Sequence, residues 1–416
     1  MNGGRPVTSF LIEHQCPQCG APATLGEADR LLRCGFCRVS SYLWVADFFR
    51  YCLPHRAPAG KPIFYYPYWR FKGMLFSCLG KGIDNRFIDV SHQALASPDF
   101  PLSVGLRSQT QKLRFAAGLQ QELFLKPAQL FKQVLPLITE QFTVGLRGPI
   151  LHQAYIGETL SLLYAPFYLE KGLFDAVINE PVRGATAESV TPLLAQAEKP
   201  HWPLTFIAAL CPGCGWELTG DPDALALTCG NCRTAWHAPG GRLEQLQTAW
   251  EGGQGEETVY LPFWRMRADV GQVELNSYAD LIRAANLPRV VQAQWEQTPF
   301  YFWSPAFKVR PQNLLAMAGH LTLHQPSRSL EAGQPPGRLH GVTMPLAEAE
   351  ESIKLILAGL LRPRQQRLEE LLPGVTVQPR SALLVYLPFR EATHELVHDG
   401  LQLAVNKNLL RYSRNL

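Results

Sequence analysis

Cys16-Pro17-Gln18-Cys19-Gly20, together with Cys34-Gly35-Phe36-Cys37, is the stretch that decides how this chain folds. It holds two Cys-x-x-Cys pairs separated by fourteen residues. The arrangement returns 195 residues later as Cys211-Pro212-Gly213-Cys214-Gly215 and Cys229-Gly230-Asn231-Cys232. A pair of thiolates at this spacing folds its backbone round one metal ion, and a second pair completes a tetrahedral set of four sulfurs. Proline inside the first pair and glycine after it suit the tight turn that such a knuckle needs.

The ligand type indicates zinc. Soft sulfur ligands in a tetrahedron favour Zn2+, with an iron–sulfur cluster as the main alternative. Two disulfides in each set are a further alternative, which the matched spacing disfavours. Four sulfurs leave no coordination position for water, so both sites are structural and not catalytic. The sequence therefore predicts two structural zinc ions, held by Cys16, Cys19, Cys34, Cys37, Cys211, Cys214, Cys229 and Cys232.

The composition is typical of a folded protein with roughly two to four domains. The chain has 416 residues, of which 46% are hydrophobic and 18% are charged. Its net charge of +4 permits nucleic acid or an anionic membrane surface as a partner and favours neither. Eight metal thiolates belong in a reducing compartment, where Cys52 and Cys78 would be reduced core residues. The N-terminus lacks the layout of a signal peptide and no apolar run is long enough to span a bilayer, so we expect a cytoplasmic protein.

A constant shift of 195 residues relates the two halves of the chain. It carries each of the first four cysteines onto one of the second four, and residues 65–70 (YYPYWR) onto residues 260–265 (YLPFWR). Such ungapped self-similarity indicates one ancestral unit copied in tandem. Related Tyr-x-Pro-aromatic segments recur at residues 164–167 and 386–389. Their aromatic and β-branched neighbours predict strands, and proline predicts that each strand lies at a sheet edge or a bulge.

The predicted fold is α+β and β-rich, in which a zinc ribbon and a mostly antiparallel β domain with short helices occur twice. The predicted boundaries are 1–44 for the first ribbon, 45–182 for the first β domain, 183–204 for a linker, 205–240 for the second ribbon and 241–416 for the second β domain. Helices are expected at 45–52, 127–135 (ending before Pro136), 242–250 and 345–361. Since the last helix has no obvious counterpart of equal length in the first half, we expect a helical insertion at about 343–372.

The knuckles and the strands that follow them resemble a known family. Cys-Pro-x-Cys-Gly followed by a Tyr-x-Pro-aromatic-Trp strand is similar to bacterial proteins described as transcription-factor-IIB-type zinc-ribbon proteins, most of which are uncharacterised. The resemblance covers the eight cysteines and residues 65–70 and 260–265, a small part of the chain. It implies metal ligation by those cysteines. Some members are thought to act as scaffolds at the membrane, beside phage-shock and flotillin-like proteins, whereas this chain shows no spanning segment.

A second motif matches the zinc-hydrolase pattern H-E-x-x-H. It comprises His394, Glu395 and His398. On a helix this spacing presents two imidazoles to one Zn2+, with the glutamate as general base. The context favours a hairpin, because the motif follows a strand and His398-Asp399-Gly400 is a strong turn signal. We therefore expect an exposed hairpin and keep a metallohydrolase as an alternative.

Aromatic strands with basic neighbours permit nucleic-acid binding. Trp69 and Trp264 are candidate platforms for base stacking, although packing in a repeated β core is the more favoured role for them. The basic candidates near these strands are Arg70, Lys72, Arg265 and Arg267. A second basic cluster consists of Arg362, Arg364, Arg367, Arg411 and Arg414, partly neutralised by Glu369 and Glu370.

The combination of two closed metal sites with no convincing catalytic set predicts a non-enzymatic adaptor or scaffold. The chain contains no P-loop, no G-x-G-x-x-G after a strand and no glycine-flanked nucleophilic serine. Each ribbon would be a metal-held module that positions its β domain for contacts with a partner protein, in a complex that is membrane-associated or related to stress. The alternatives are a nucleic-acid-binding zinc-ribbon protein and a zinc metallohydrolase.

Overall fold

A computed structural model describes residues 10–105, 112–119, 121–199, 202–253, 258–326, 329–361 and 369–413. The protein is a mixed α+β, strand-rich structure, with 21% helix and 40% strand. Across the described ranges, no helix is both long and apolar enough to cross a membrane.

The first half contains twelve strands and two α-helices in its described residues. Its strands are β1 (Leu11–Gln15), β2 (Pro22–Gly26), β3 (Leu31–Arg33), β4 (Ser40–Trp44), β5 (Phe49–Cys52), β6 (Phe64–Leu79), β7 (Gly82–Gln93), β8 (Lys112–Phe115), β9 (Leu123–Phe124), β10 (Ile150–Leu169), β11 (Leu173–Asp175) and β12 (Glu180–Pro181). Its helices are α1 (Phe131–Thr143) and α2 (Ala187–Leu194).

The second half contains thirteen strands and four α-helices in the part that the structure describes. Its strands are β13 (Thr205–Ala208), β14 (Leu218–Thr219), β15 (Ala226–Cys229), β16 (Ala235–His237), β17 (Glu244–Leu246), β18 (Thr248–Glu251), β19 (Thr258–Gly271), β20 (Phe302–Pro305), β21 (Leu330–Ala332), β22 (Arg338–Leu339), β23 (Thr376–Glu391), β24 (Glu395–His398) and β25 (Leu403–Asn406). Its helices are α3 (Tyr278–Ala284), α4 (Pro311–His324), α5 (Leu346–Leu360) and α6 (Lys407–Ser413).

Each half is built round one pair of long antiparallel strands, β6 with β10 and β19 with β23. β6 is buried at nearly every position because both of its faces are covered. Tyr66 and Tyr68 on one face belong to one hydrophobic core, and Trp69 and Phe71 on the other face belong to another. Alternate residues of a strand point to opposite faces, so this aromatic run supplies two cores at once.

The prolines of the Tyr-x-Pro segments lie inside these central strands, contrary to the expectation of an edge or a bulge. Pro67 pairs with Tyr164, and Pro262 pairs with Tyr386 in the same way. On the other side of β6, pairing with β9 stops at Tyr65 and pairing with β7 starts at Tyr68, so Pro67 lies in the gap between them. A proline has no N–H to donate, so it fits where the neighbouring strand changes and no ladder bond is needed. β19 has the same gap at Pro262, between β22 and β20.

The hydrogen bonds that hold a helix beside each central strand also match. The indole N–H of Trp69 donates to the carbonyl of Gln129 at 2.8 Å, and that of Trp264 donates to the carbonyl of Met344 at 3.0 Å. α1 begins two residues after Gln129 and α5 begins two residues after Met344. The two tryptophans therefore anchor the segments that lead into α1 and α5.

The two halves share a hydrophobic core. Met74, Phe76 and Ile156 of the first half are fully buried within the core cluster of the second half. The backbone N–H of Gly157 also donates to the buried carboxylate of Glu348 in the first turn of α5. The halves are consequently one packed unit and not two independent arms.

Short helices were the least accurate sequence predictions. Residues 45–52 and 242–250 were expected to be helical but contain β5, β17 and β18, because strand pairing overrides a weak amphipathic pattern. β5 and β18 pair with the long strands β10 and β23, and β17 pairs with β16. The helix expected at 127–135 begins at Phe131 and continues through Pro136 to Thr143. The helix expected at 345–361 is confirmed as α5. Within the predicted linker, α2 is a helix of eight residues.

Candidate metal centres

The first four cysteines converge between β1 and β4. Cys16 follows β1 and Cys34 follows β3, and both are buried. Their sulfurs lie 3.8 Å from Cys37 Sγ and 3.6 Å from Cys19 Sγ respectively. All four sulfurs lie within 4.8 Å of one another.

The second four cysteines form the same arrangement in the second half. Cys211 Sγ lies 3.5 Å from Cys232 Sγ, and Cys214 Sγ lies 3.5 Å from Cys229 Sγ. These four sulfurs also lie within 4.8 Å of one another. The structure therefore brings together each of the two sets that the sequence predicts.

Each knuckle closes with a backbone hydrogen bond and a left-handed residue. The N–H of Gly20 donates to Cys16 O at 2.9 Å, and the N–H of Arg38 donates to Cys34 O at 3.0 Å. Gly20 has φ 72° and Arg38 has φ 61°. Glycine adopts this conformation without strain, whereas arginine does so only when its surroundings require it. Gly215 (φ 74°) and Arg233 (φ 52°) repeat the pattern in the second set.

These distances fit one tetrahedral ion in each set. A Zn–S bond of about 2.3 Å in a tetrahedron places neighbouring sulfurs about 3.8 Å apart, close to the separations of 3.5 to 3.8 Å in the two sets. A disulfide requires about 2.05 Å between sulfurs, and all ten cysteines are free. Two groups of four cysteines could therefore hold metal ions such as zinc. With four sulfur ligands neither ion would retain a position for a reacting water.

The backbone already favours thiolate at one cysteine of each set. The N–H groups of Cys37 and Phe36 point at Cys34 and lower the pKa of its thiol to about 6. Burial opposes ionisation of Cys211, but the N–H groups of Gly213 and Cys214 lower its pKa to about 6. Metal binding requires the thiolate form, so these hydrogen bonds assist ligation.

The two ribbons are joined by a shared sheet and a shared core. β13 of the second ribbon pairs antiparallel with β4 of the first, beside β3. Ser40 Oγ donates to Glu217 Oε1 at 2.7 Å across the junction, and the N–H of Leu31 donates to Pro222 O at 2.8 Å. Tyr42 and Trp236 are buried in the hydrophobic cluster between the ribbons. The two cysteine sets therefore belong to one composite module.

The H-E-x-x-H segment forms a hairpin, as expected, and not a helix, but the hairpin is not wholly exposed as predicted, because one of its faces is buried. Glu395–His398 is β24, paired with β23 and β25. Glu395 is exposed, whereas His398 is buried on the opposite face, with its Nε2 3.7 Å from a carboxylate oxygen of Glu251. The N–H of Leu401 donates to His398 Nδ1 at 3.2 Å. Among the described residues, only the two cysteine sets form a group of three or more possible metal ligands, and His394, Glu395 and His398 do not form such a group.

The candidate stacking tryptophans are not available for bases. Trp69 and Trp264 are only 4% and 5% exposed, so the favoured packing role is confirmed. Arg70 is buried with them and binds Glu27 and Asp89, while Arg265 lies over the ring of Tyr301 at 4.4 Å. Lys72 is half-buried and Arg267 is exposed. Arg362, Arg364, Arg367 and Arg414 lie outside the described residues, whereas Arg411 is exposed on α6.

Sequence reasoning missed two exposed aromatic residues beside the cysteines. Phe36, between Cys34 and Cys37, is 71% exposed, and Trp216, two residues after Cys214, is 60% exposed. A metal knuckle is too small to cover large side chains with a core of its own. The position of an aromatic residue within or next to a Cys-x-x-Cys pair could therefore have predicted from the sequence that its ring is exposed.

Comparison with known proteins gave no match: no family model, no curated protein and no solved structure matched the chain.

Proposed function

We propose that this chain is a non-enzymatic zinc-binding scaffold for protein–protein assembly. The observation that carries the proposal is the joining of two four-cysteine sets into one module by the pairing of β13 with β4. Each set would hold one structural Zn2+, and iron is the alternative for the same four sulfurs. A shared core between the halves supports a rigid scaffold rather than two flexible arms.

We further propose that the halves arose by tandem duplication. Support comes from the identical pairing of Pro67 with Tyr164 and Pro262 with Tyr386 and from the equivalent tryptophan hydrogen bonds. In this alignment α1 corresponds to α5, and β20 pairs with β19 where β7 pairs with β6. The extra segment of the second half would therefore lie between β19 and β20 and contain α3, rather than at 343–372 as predicted. An experimental structure in which α1 and α5 do not superpose relative to their central strands would contradict the duplication.

The contact surface of the scaffold would be an exposed apolar patch that spans both ribbons, here called the ribbon patch. It consists of Phe36, Val39, Leu210 and Trp216, each of them more than 40% exposed. The N–H of Ala209 donates to Ser40 O at the end of the shared sheet, and this bond brings Leu210 towards Val39 just beyond the paired strands. Leu210 also forms an isolated antiparallel β-bridge with Glu217, the residue that follows Trp216. Exposed apolar surface of this kind, built from neighbouring residues, is typical of interaction sites.

The charges round the ribbon patch favour an acidic partner segment. Arg33 and Arg38 are exposed beside Phe36, and residues 33–40 contain no aspartate or glutamate. Glu217, on the other side of the patch, is hydrogen-bonded to Ser40. We therefore propose that the occupant is a protein segment that combines apolar anchors with carboxylates, since opposite charges at the rim guide and orient docking.

The test compares capture of a partner by the wild-type chain and by three variants. The tagged wild type should retain a stoichiometric partner from nuclease-treated native lysate and release it at high salt. Tagged Phe36→Ser and Trp216→Ser should each fail to retain that partner. Val290→Ser removes an exposed apolar residue elsewhere (89% exposed) and should retain it. Identification of that partner should then show an acidic, apolar segment whose synthetic peptide competes. A clean monomer with no partner, or equal capture by all four proteins, would contradict the proposal.

Nucleic-acid binding is the second candidate function. The ribbon patch is a better candidate site for it than the buried Trp69 and Trp264. Exposed rings at Phe36 and Trp216 beside Arg33 and Arg38 are the parts that a single-strand binding surface requires. It predicts binding of a labelled single-stranded oligonucleotide that weakens steeply as salt is added. The absence of binding at low salt, measured by fluorescence anisotropy, would eliminate it.

A further inference from the structure

A cavity of about 400 Å³ lies between the second ribbon and residues 333–342, here called the loop although they include the two-residue strand β22. The ribbon contributes Asp221, Thr228 and Arg233, and the loop contributes Gln334 and His340. This volume is within the range of small-molecule sites. The cavity is separate from the ribbon patch, none of whose residues lines it.

Backbone hydrogen bonds hold both walls of this cavity in place. The N–H of Leu225 in the ribbon donates to Val342 O at 2.8 Å. The N–H of Gly333 donates to Thr248 O, and the N–H of His340 donates to Tyr260 O, both at 2.9 Å. The loop is therefore fixed to β18 and β19 as well as to the ribbon, and the cavity is part of the folded architecture.

A buried donor in this cavity has no hydrogen-bond partner. Gln334 is only 6% exposed, and its amide Nε2 lacks a partner among the described residues. Buried amide groups are nearly always hydrogen-bonded, because removing them from water unpaired is costly. Gln334 lines the cavity, so an acceptor atom bound there could pair with this amide once the side chain turns towards it.

Two further donors line the same cavity. Arg233 supplies an exposed guanidinium. A guanidinium group binds a carboxylate or phosphate group through two parallel hydrogen bonds. Tyr386 lines the cavity from β23, and burial raises the pKa of its phenol, so that its hydroxyl stays protonated. Ala226, Leu339 and Val342 add apolar wall.

We propose that this cavity binds a small organic oxyanion, whose carboxylate or phosphate accepts hydrogen bonds from Gln334 and Arg233 and whose carbon skeleton packs on the apolar wall. The site is independent of the proposed scaffold function. Carboxylate and phosphate share this donor set, so the test treats them as separate arms.

The experiment is calorimetric titration of the full-length, metal-loaded protein with succinate and with inorganic phosphate, at constant ionic strength. Saturable binding of one anion per chain by either probe is the expected result. Gln334→Leu removes the buried donor at similar size, and Arg233→Gln removes the guanidinium. Each should weaken binding about tenfold or more, since a charge-assisted hydrogen bond is lost.

Arg242→Gln is the matched control, because Arg242 is an exposed arginine between β16 and β17 that does not line the cavity. It should bind the probe as the wild type does. Zinc content and circular dichroism establish that each variant is folded. If Arg233→Gln is not folded, the anion affinity of Gln334→Leu alone tests the proposal. Binding of neither probe, or equal weakening by Arg242→Gln and Arg233→Gln, would overturn the proposal.

Discussion

Replacing Trp264 with phenylalanine should lower the free energy of unfolding by about 3 kcal/mol. The side chain is 5% exposed, and its indole N–H donates to the fully buried carbonyl of Met344. Truncating a buried tryptophan to alanine costs about 3–5 kcal/mol; phenylalanine retains part of that packing, so about 1–2 kcal/mol is lost. Removing a donor from a buried carbonyl adds about 1–3 kcal/mol.

Trp69→Phe should cost less, about 2 kcal/mol, because the carbonyl of Gln129 is only partly buried. The control is Trp216→Phe, which changes an exposed ring and should stay within about 0.5 kcal/mol of the wild type. Guanidinium denaturation followed by circular dichroism measures all three. A cost below about 1 kcal/mol for Trp264→Phe, or an equal cost for Trp216→Phe, would refute the assignment of Trp264 to the core.

Three further predictions concern the ribbons and the junction of the halves. Cys34→Ser or Cys229→Ser should unfold the local ribbon, because metal binding there contributes folding free energy; unchanged protease resistance would contradict this. Burial lowers the pKa of Lys72 to about 8 from 10.5, so the folded state disfavours its ammonium form. Lys72→Met should therefore stabilise the protein by about 1–2 kcal/mol at pH 7, as measured by urea denaturation. This stabilisation should fade as the pH rises from 8 towards 11, and the exposed control Lys171→Met should not show it. Gly157→Ala should lower the thermal midpoint, because φ is 70° and a β-carbon would lie 3.1 Å from a buried methionine; an unchanged midpoint would argue against this close packing.

The two cysteine clusters could be predicted from sequence because their chemistry is local. Cysteine type and spacing define a knuckle without reference to the rest of the chain. The hairpin at Glu395–His398 was equally local, since Gly400 and Asp399 indicate a turn. α5 was predictable from its long apolar periodicity.

The remaining errors arise where distant partners decide the structure. Tyr51 is in a strand because it pairs with Leu163, and Trp250 because it pairs with Tyr386. Neither partner is near in sequence, so a short amphipathic pattern was misleading. The position of Pro67 within a central strand depends on where β9 and β7 end, which no local pattern reveals. The pairing of β13 with β4 and the ribbon patch likewise depend on contacts between the halves.

The most direct test of whether zinc stabilises the fold of the ribbons is the metal content of the freshly purified chain, measured by elemental analysis together with native mass spectrometry. We predict two zinc ions per chain, no stoichiometric iron, and loss of ribbon protection from protease once a chelator removes the metal. Folded ribbons in metal-free protein would contradict the account, as would stoichiometric iron or a third tightly bound zinc.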